Sequence, residues 1–306
     1  MRVLILGAGA VGGYIGARLK TAGADVAFIA RPERLASLTA SGLVIKSPLG
    51  DFAAPVRAAA GPPAGFAANV AIIACKAPAL AGAIETIGPG IGPDTRVLPF
   101  FNGVAHLETL HRSFPHTPML GGIAHGALTL RSDGVIEHLT PFFSAIVGPT
   151  SKAPDPVAGE IVALLSAGGT DARLSPDIHQ EMWNKFVFLA TLAGMTCLMR
   201  ASIGTIVSTN DGRDLILQLL TENLSVARAE RYAPDETAMA SYRQSLTEPG
   251  STFTSSMLRD VLSGRRTEAD HILGDMLRRA RRYGLETPVL KTAYAHLQCH
   301  EATIAR

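Results

Sequence analysis

Short apolar runs open the chain and alternate with stretches of helical rhythm. Arg2–Leu6, Asp25–Ile29, Val70–Ala74 and Arg96–Phe100 are largely aliphatic and have no polar face. Such runs predict strands covered on both sides, as in a parallel sheet. Between them, Tyr14–Lys20 and Ala79–Ile87 read as helices, with Gly23 a plausible C-cap. Leu43–Val56 predicts short strands around a Pro48–Asp51 turn, and the Pro-, Gly- and Ala-rich stretch Ala58–Ala68 a loop. Met119–Val147 breaks into short β-like runs, among them Ala127–Arg131 and Val135–His138, expected at a partly antiparallel edge of the sheet. Pro156–Ala167 is an amphipathic helix and Ala172–Leu174 a last strand. From Asp177, a good N-cap, the patterns are helical almost without exception, starting with a long helix through about Ala193.

The link from the first strand to the first helix is Gly7-Ala8-Gly9-Ala10-Val11-Gly12, a G-x-G-x-x-G loop. Gly7 permits the tight turn, Gly9 a close approach of backbone to a pyrophosphate, and Gly12 close packing of helix on strand. The phosphates would rest on free N–H groups at the helix N-terminus, where the dipole favours negative charge. The motif alone is weak evidence; between a strand and a helix it is a dinucleotide-site hypothesis. The expected fold is therefore α/β plus all-α: a Rossmann NADP-binding domain over residues 1–176, then an all-helical domain over 177–306.

The second strand ends in Ile29-Ala30-Arg31-Pro32-Glu33-Arg34. A site for NAD usually carries an acid there for the ribose 2′-hydroxyl. Arg31 stands in its place, positioned for a 2′-phosphate, and Arg34 one turn on could assist; the plain alternative is a pair of solvated arginines at a helix start. The missing acid and the present base together favour NADP (NADPH). Lys76 and Asn102 each follow an apolar strand, and the C-terminal ends of such strands are where open α/β sheets bind ligands.

Composition narrows the function classes. The chain has 306 residues, 47% hydrophobic and 18% charged, with a net charge of +2. That describes a globular protein with no call for a polyanionic partner, so nucleic-acid binding is not expected. Cys75, Cys197 and Cys299 are scattered and odd in number, which fits a reducing compartment without disulfides. Met1 leads straight into a strand, leaving no room for a signal peptide, and the longest apolar stretch, Phe186–Met199, falls short of the ~20 residues a membrane span needs. A cytoplasmic protein with no membrane partner is expected. His296, Cys299 and His300 lie near a frayed C-terminal helix and do not suggest a metal site, and Arg278–Arg282 reads as a solvated helix face. An apolar helix face left outside would suit a homodimer, although the sequence locates none.

Lys185 lies within the apolar run of the long helix, in Trp183-Asn184-Lys185-Phe186. It is either a surface lysine on a polar stripe or one buried at a cost that needs a purpose. Further on come Ser255-Ser256-Met257 with Asp260, and Thr267-Glu268 with Asp270. With these segments the chain resembles the ketopantoate reductase (2-dehydropantoate 2-reductase) family along its whole length. The likeness includes the glycine loop, the arginine after the second strand and the Lys76 to Asn102-Gly103 spacing. It extends to the W-x-K context and the S-S-M-x-x-D and T-E-x-D segments at the family's separation.

The resemblance implies roles. Lys185 would protonate the 2-oxo oxygen of a small-molecule 2-oxo acid as hydride arrives from NADPH, stabilising the developing alkoxide. Glu268 would hold Lys185 charged and oriented, or bind the far end of the substrate. Ser256 would hydrogen-bond the substrate, and Asn102 would touch the nicotinamide side and align the substrate. Lys76 would lie near the nicotinamide ribose, and Gly126 would offer a backbone contact to cofactor. One departure stands out: the family's asparagines four and eight residues after the lysine are Leu189 and Ala193 here. The implied reaction is reduction of ketopantoate to pantoate. The rivals are a paralogous reductase of a more apolar 2-oxo acid and a non-catalytic NADP-binding regulator.

Overall fold

The computed structural model describes residues 1–304, and the chain folds as two compact units. The first is Met1–Phe101 with His106–Ile178, and the second is Asn102–Ala105 with the chain from His179 onward.

The first unit begins with β1 (Arg2–Leu6), α1 (Ala10–Thr21), β2 (Asp25–Ile29), α2 (Pro32–Ser41), β3 (Leu43–Lys46), β4 (Phe52–Ala54) and β5 (Arg57–Ala59). It continues through β6 (Val70–Ile73), α3 (Leu80–Ile87), β7 (Arg96–Pro99) and α4 (Ala105–Ser113) to β8 (Leu120–His125), β9 (Leu128–Leu130) and β10 (Ile136–His138). β11 (Ser144–Pro149), α5 (Pro156–Ala167) and β12 (Asp171–Leu174) complete it.

The central sheet has the order β5-β2-β1-β6-β7, with every pair parallel. Val3, Leu4, Ile5 and the whole of β6 are buried, which is why these strands carry no polar face. The chain moves one way from β1 to β2 and the other way to β6, so the order reverses at β1. That reversal is the switch point at whose C-terminal edge open α/β sheets bind ligands. This is the Rossmann arrangement.

Two local features differ from the sequence-based reading, and a third agrees with its partly antiparallel edge. Arg57–Ala59, expected within or beside a loop, adds an edge strand to β2; three residues of mixed polarity carry no readable period. β9 and β10 do not join the central sheet. They form a second sheet, β4-β3-β10-β9, because fully buried Ile136 shares the core with Leu43 and Ile45. β8 and β11 are antiparallel, in the sheet β12-β11-β8, and this one touches β7 through the isolated bridges Val97–Met119 and Phe100–Gly122.

The second unit is helical. It comprises α6 (Ile178–Met199), α7 (Ile203–Val207), α8 (Gly212–Ala229), α9 (Glu236–Leu246), α10 (Ser256–Leu262), α11 (Asp275–Arg282) and α12 (Pro288–Ile304). A π-wound turn, Asp270–Gly274, leads into α11. Ser202, Asp235 and Ser255 cap α7, α9 and α10 through their side-chain oxygens. α6 runs past the expected end near Ala193 because Gly194 breaks nothing there. A Cβ at Gly194 would lie 2.8 Å from the Leu219 side chain, so the missing side chain lets α8 pack against an unbroken helix. Among the described residues α6 is the one helix long and apolar enough to cross a membrane, yet 67% of that apolar window is buried inside the protein. It has the character of a core helix.

Candidate active site

In the first unit the candidate residues gather on one rim. Leu6 is in register with Ile29 of β2 and Ile73 of β6, so the segments after these three strands emerge side by side. They carry the glycine loop, Arg31 and Lys76. Gly7 has φ +101, and a Cβ on it would stand 2.6 Å from the Ala74 carbonyl oxygen. A Cβ on Gly12 would run into the carbonyl oxygen of Gly7. No atom lies within 4 Å of the corresponding position at Gly9. The outer two glycines are therefore demanded by the protein's own packing, while the middle one faces open space, as backbone meant to touch a ligand should.

Gly9 is the N-cap of α1, with no side chain occupying the cap and no acid in the first turn. The free N–H groups of Ala10, Val11 and Gly12 are thus left for an anion. Arg31 is exposed at the start of α2, and Lys76 is exposed just past β6. Arg34 is employed differently: its guanidinium donates to the carbonyls of Ala8 (2.7 Å) and Gly134 (2.6 Å), tying the glycine loop to the β9–β10 turn. Gly126 has φ +145 and follows β8 in the neighbouring sheet, exposed and close against Phe143. These residues fit a nicotinamide dinucleotide.

In the second unit, α6 is fixed just ahead of Lys185. Trp183 is 3% exposed, its ring stacks on Tyr232, and the Arg279 guanidinium lies 5.5 Å over it. Arg279 in turn binds Asp275 (2.9 Å) and Glu230 (3.1 Å). One carbonyl before Lys185, Asn184 accepts a hydrogen bond from the Tyr242 hydroxyl at 2.9 Å. The Lys185 residue is partly exposed, but its ammonium sits deep. Burial lowers its pKa from the usual lysine range to about 8, with the Glu268 carboxylate pulling it back up. Burial also holds His271 below the usual histidine range, again opposed by Glu268.

Asn102, Ser256, Glu268, Leu189 and Ala193 line one small recess, together with Ser255, Met257 and Ile272. The chain thus brings together every substrate-side residue singled out in the sequence. Lys185 is not among the lining residues; Glu268 connects it to them. Ser255 and Met257 belong to the S-S-M motif but have no role assigned by the sequence, and Ile272 stands outside the motifs. Ile272 lies four residues after Glu268, so helical spacing could have found it. Ser255 is held by Thr196 (2.9 Å) and caps Leu258 N–H (3.0 Å), so it sets the start of α10 and the place of Ser256.

Other features carry no chemistry. A wider groove lined by Leu38–Gly42, Ala53–Val56 and Ala58 has no titratable side chain in its lining. Burial pushes the Cys197 thiol up to about 12, which makes it inert. No group of three or more His, Cys, Asp or Glu arranged for a metal occurs among the described residues.

Comparison with known proteins follows the same division. Residues 3–151 match the family described as "Ketopantoate reductase PanE/ApbA", and residues 177–301 match its C-terminal counterpart. An uncharacterized oxidoreductase, YkpB of Bacillus subtilis, is 35% identical over 303 residues, covering 99% of both chains. The structure of a PanE/ApbA family ketopantoate reductase from Ralstonia eutropha superposes with a TM-score of 0.88 at 27% identity, covering 100% of each chain. D-mandelate dehydrogenase with NADH and anilino(oxo)acetate superposes with a TM-score of 0.89 at 22% identity, covering 100% of each chain, a likeness of fold.

Proposed function

We propose, for a chain that belongs to the ketopantoate reductase family, that it reduces a 2-oxo acid to the 2-hydroxy acid with NADPH, ketopantoate to pantoate being the first reading. The observation that carries this is a lysine ammonium buried in an apolar helix, lowered to about 8 and opposed by one carboxylate. A general acid works best with a pKa near the operating pH. A regulator without chemistry has no use for so costly a group.

The Gly7–Gly12 loop, Arg31, Lys76 and Gly126 would hold the cofactor, with Arg31 on the 2′-phosphate. Bound NADPH supplies the hydride that C2 of the oxo acid accepts. Lys185 Nζ then gives its proton to the oxo oxygen, completing the hydroxyl, and its positive charge stabilises the alkoxide as it develops. Glu268 favours the charged, oriented form of Lys185. Ser256 and Asn102 offer hydrogen bonds that fix the substrate.

A second reading has an observation of its own. Half of the recess is apolar, from Leu189, Ala193, Met257 and Ile272. That lining suits a 2-oxo acid with an aliphatic tail better than one presenting a hydroxyl. NADPH oxidation over a panel of 2-oxo acids, with the 2-hydroxy acid product identified, tests both readings. Turnover of ketopantoate above all others supports the first, turnover of aliphatic 2-oxo acids above it supports the second, and no turnover of any refutes both.

A further inference from the structure

The segment that carries Glu268 is pinned on both sides of that residue by the C-terminal helix. Glu301 of α12 accepts two hydrogen bonds through one carboxylate oxygen, from the Thr267 backbone N–H at 2.7 Å and from the Thr267 hydroxyl at 2.6 Å. Thr267 is buried at 5% exposure, and its hydroxyl oxygen also accepts from the Ala269 N–H at 3.2 Å. One turn on, the Tyr294 hydroxyl of α12 donates to Asp270 at 2.7 Å, and Arg278 donates to the same carboxylate at 2.9 Å. Gly274 keeps this contact open: a Cβ there would stand 2.7 Å from that Asp270 oxygen and 3.0 Å from the Tyr294 ring. Upstream, His300 Nε2 donates to the Arg265 carbonyl at 3.1 Å, and the Arg265 side chain is held by Asp260 at 3.1 Å.

The T-E-x-D segment therefore divides its labour. Thr267 and Asp270 are taken up by α12, and the residue between them that faces the recess is Glu268. We propose that Glu301 is a positioning residue for Glu268, and that α12, through Glu301 and Tyr294, sets where that carboxylate stands relative to Lys185. The proposal rests on the reading of Lys185 and Glu268 given above. Glu268 is the charge that bears on Lys185, and His271 of the π turn stands beside Glu268 with Asp270 and Asp275 as its other acidic neighbours. Releasing the Thr267 turn would let Glu268 drift, and misplacement by about 1 Å costs up to roughly a hundredfold in rate.

The test compares Glu301→Ala and Glu301→Gln in the full chain, reading kcat, the dissociation constant for NADPH and the alkaline limb of the kcat–pH profile. Glu301→Gln keeps an oxygen that accepts both bonds and should retain the parent rate and limb. Glu301→Ala should lose roughly tenfold to a hundredfold in kcat, bind NADPH as before, and show its limb shifted to lower pH as Glu268 loses its hold on Lys185. If Glu301→Ala does not fold, Tyr294→Phe, which removes only the hydroxyl from Asp270, is read in the same way. An unmoved limb with Glu301→Ala, or equal damage from Glu301→Gln, overturns the proposal. Glu268→Ala serves as the reference. If it lowers both rate and limb while Glu301→Ala changes neither, the clamp alone is wrong. If Glu268→Ala itself changes neither, the underlying reading falls and the clamp with it.

Discussion

Lys185 is costly to the fold and would serve the proposed reaction for the same reason. Its folded pKa, about 8, lies below that of a free lysine, so the folded chain binds this proton less tightly than the unfolded chain. The cost to stability is fully present below about pH 8, fades as pH rises above it, and is gone by the ordinary lysine value. Catalysis runs the opposite way, because the general acid needs the proton: kcat should be level below about pH 8 and fall tenfold per pH unit above it. A profile flat to pH 10 would remove Lys185 as the acid. Arg31 is the other residue with a sharp consequence. It is exposed where an NAD site would carry an acid. NADPH should be preferred over NADH by about tenfold or more, roughly 1.4 kcal/mol. Arg31→Ala should erase most of that preference, measured as the ratio of kcat/KM for the two cofactors; equal use of both by the parent chain would contradict the assignment.

Along α6, helical spacing places Leu189 and Ala193 in the recess with Asn102, Ser256 and Glu268. A substrate hydroxyl set against Leu189 would be desolvated and unpaired, costing about 1–3 kcal/mol. Leu189→Asn should therefore raise kcat/KM for ketopantoate relative to an aliphatic 2-oxo acid by about tenfold or more; no change in the ratio would mean that this face does not meet the substrate. Element by element, the sequence was legible where burial is two-sided or periodic. The short apolar runs of β1, β2, β6 and β7 read as central strands, and they are. β5 was not legible, since Arg57–Ala59 gains its strand character from pairing with β2 rather than from its own residues. Nor was the company kept by β9 and β10, because an alternating pattern states that Ile136 is buried but not against what. The end of α6 was misjudged at Gly194, where glycine serves packing instead of termination. On the site side, the family resemblance singled out Lys185, Ser256 and Glu268, while Ser255 and Glu301 act through bonds that no sequence pattern announces.

Over the whole molecule the residues of the proposed reaction fall to different units. The glycine loop, Arg31 and Lys76 belong to the first, while Lys185, Glu268, Ser256 and the Asn102 segment belong to the second. Cofactor binding and proton transfer should therefore be separable by mutation. Lys185→Ala tests this most directly, with NADPH affinity followed by titration and turnover of the best 2-oxo acid followed on the same preparation. kcat should fall by roughly 10²–10⁴, the usual loss for a general acid, with the NADPH dissociation constant little changed. A variant that turns over at nearly the parent rate would contradict this, leaving Lys185 a lysine of the helix and nothing more.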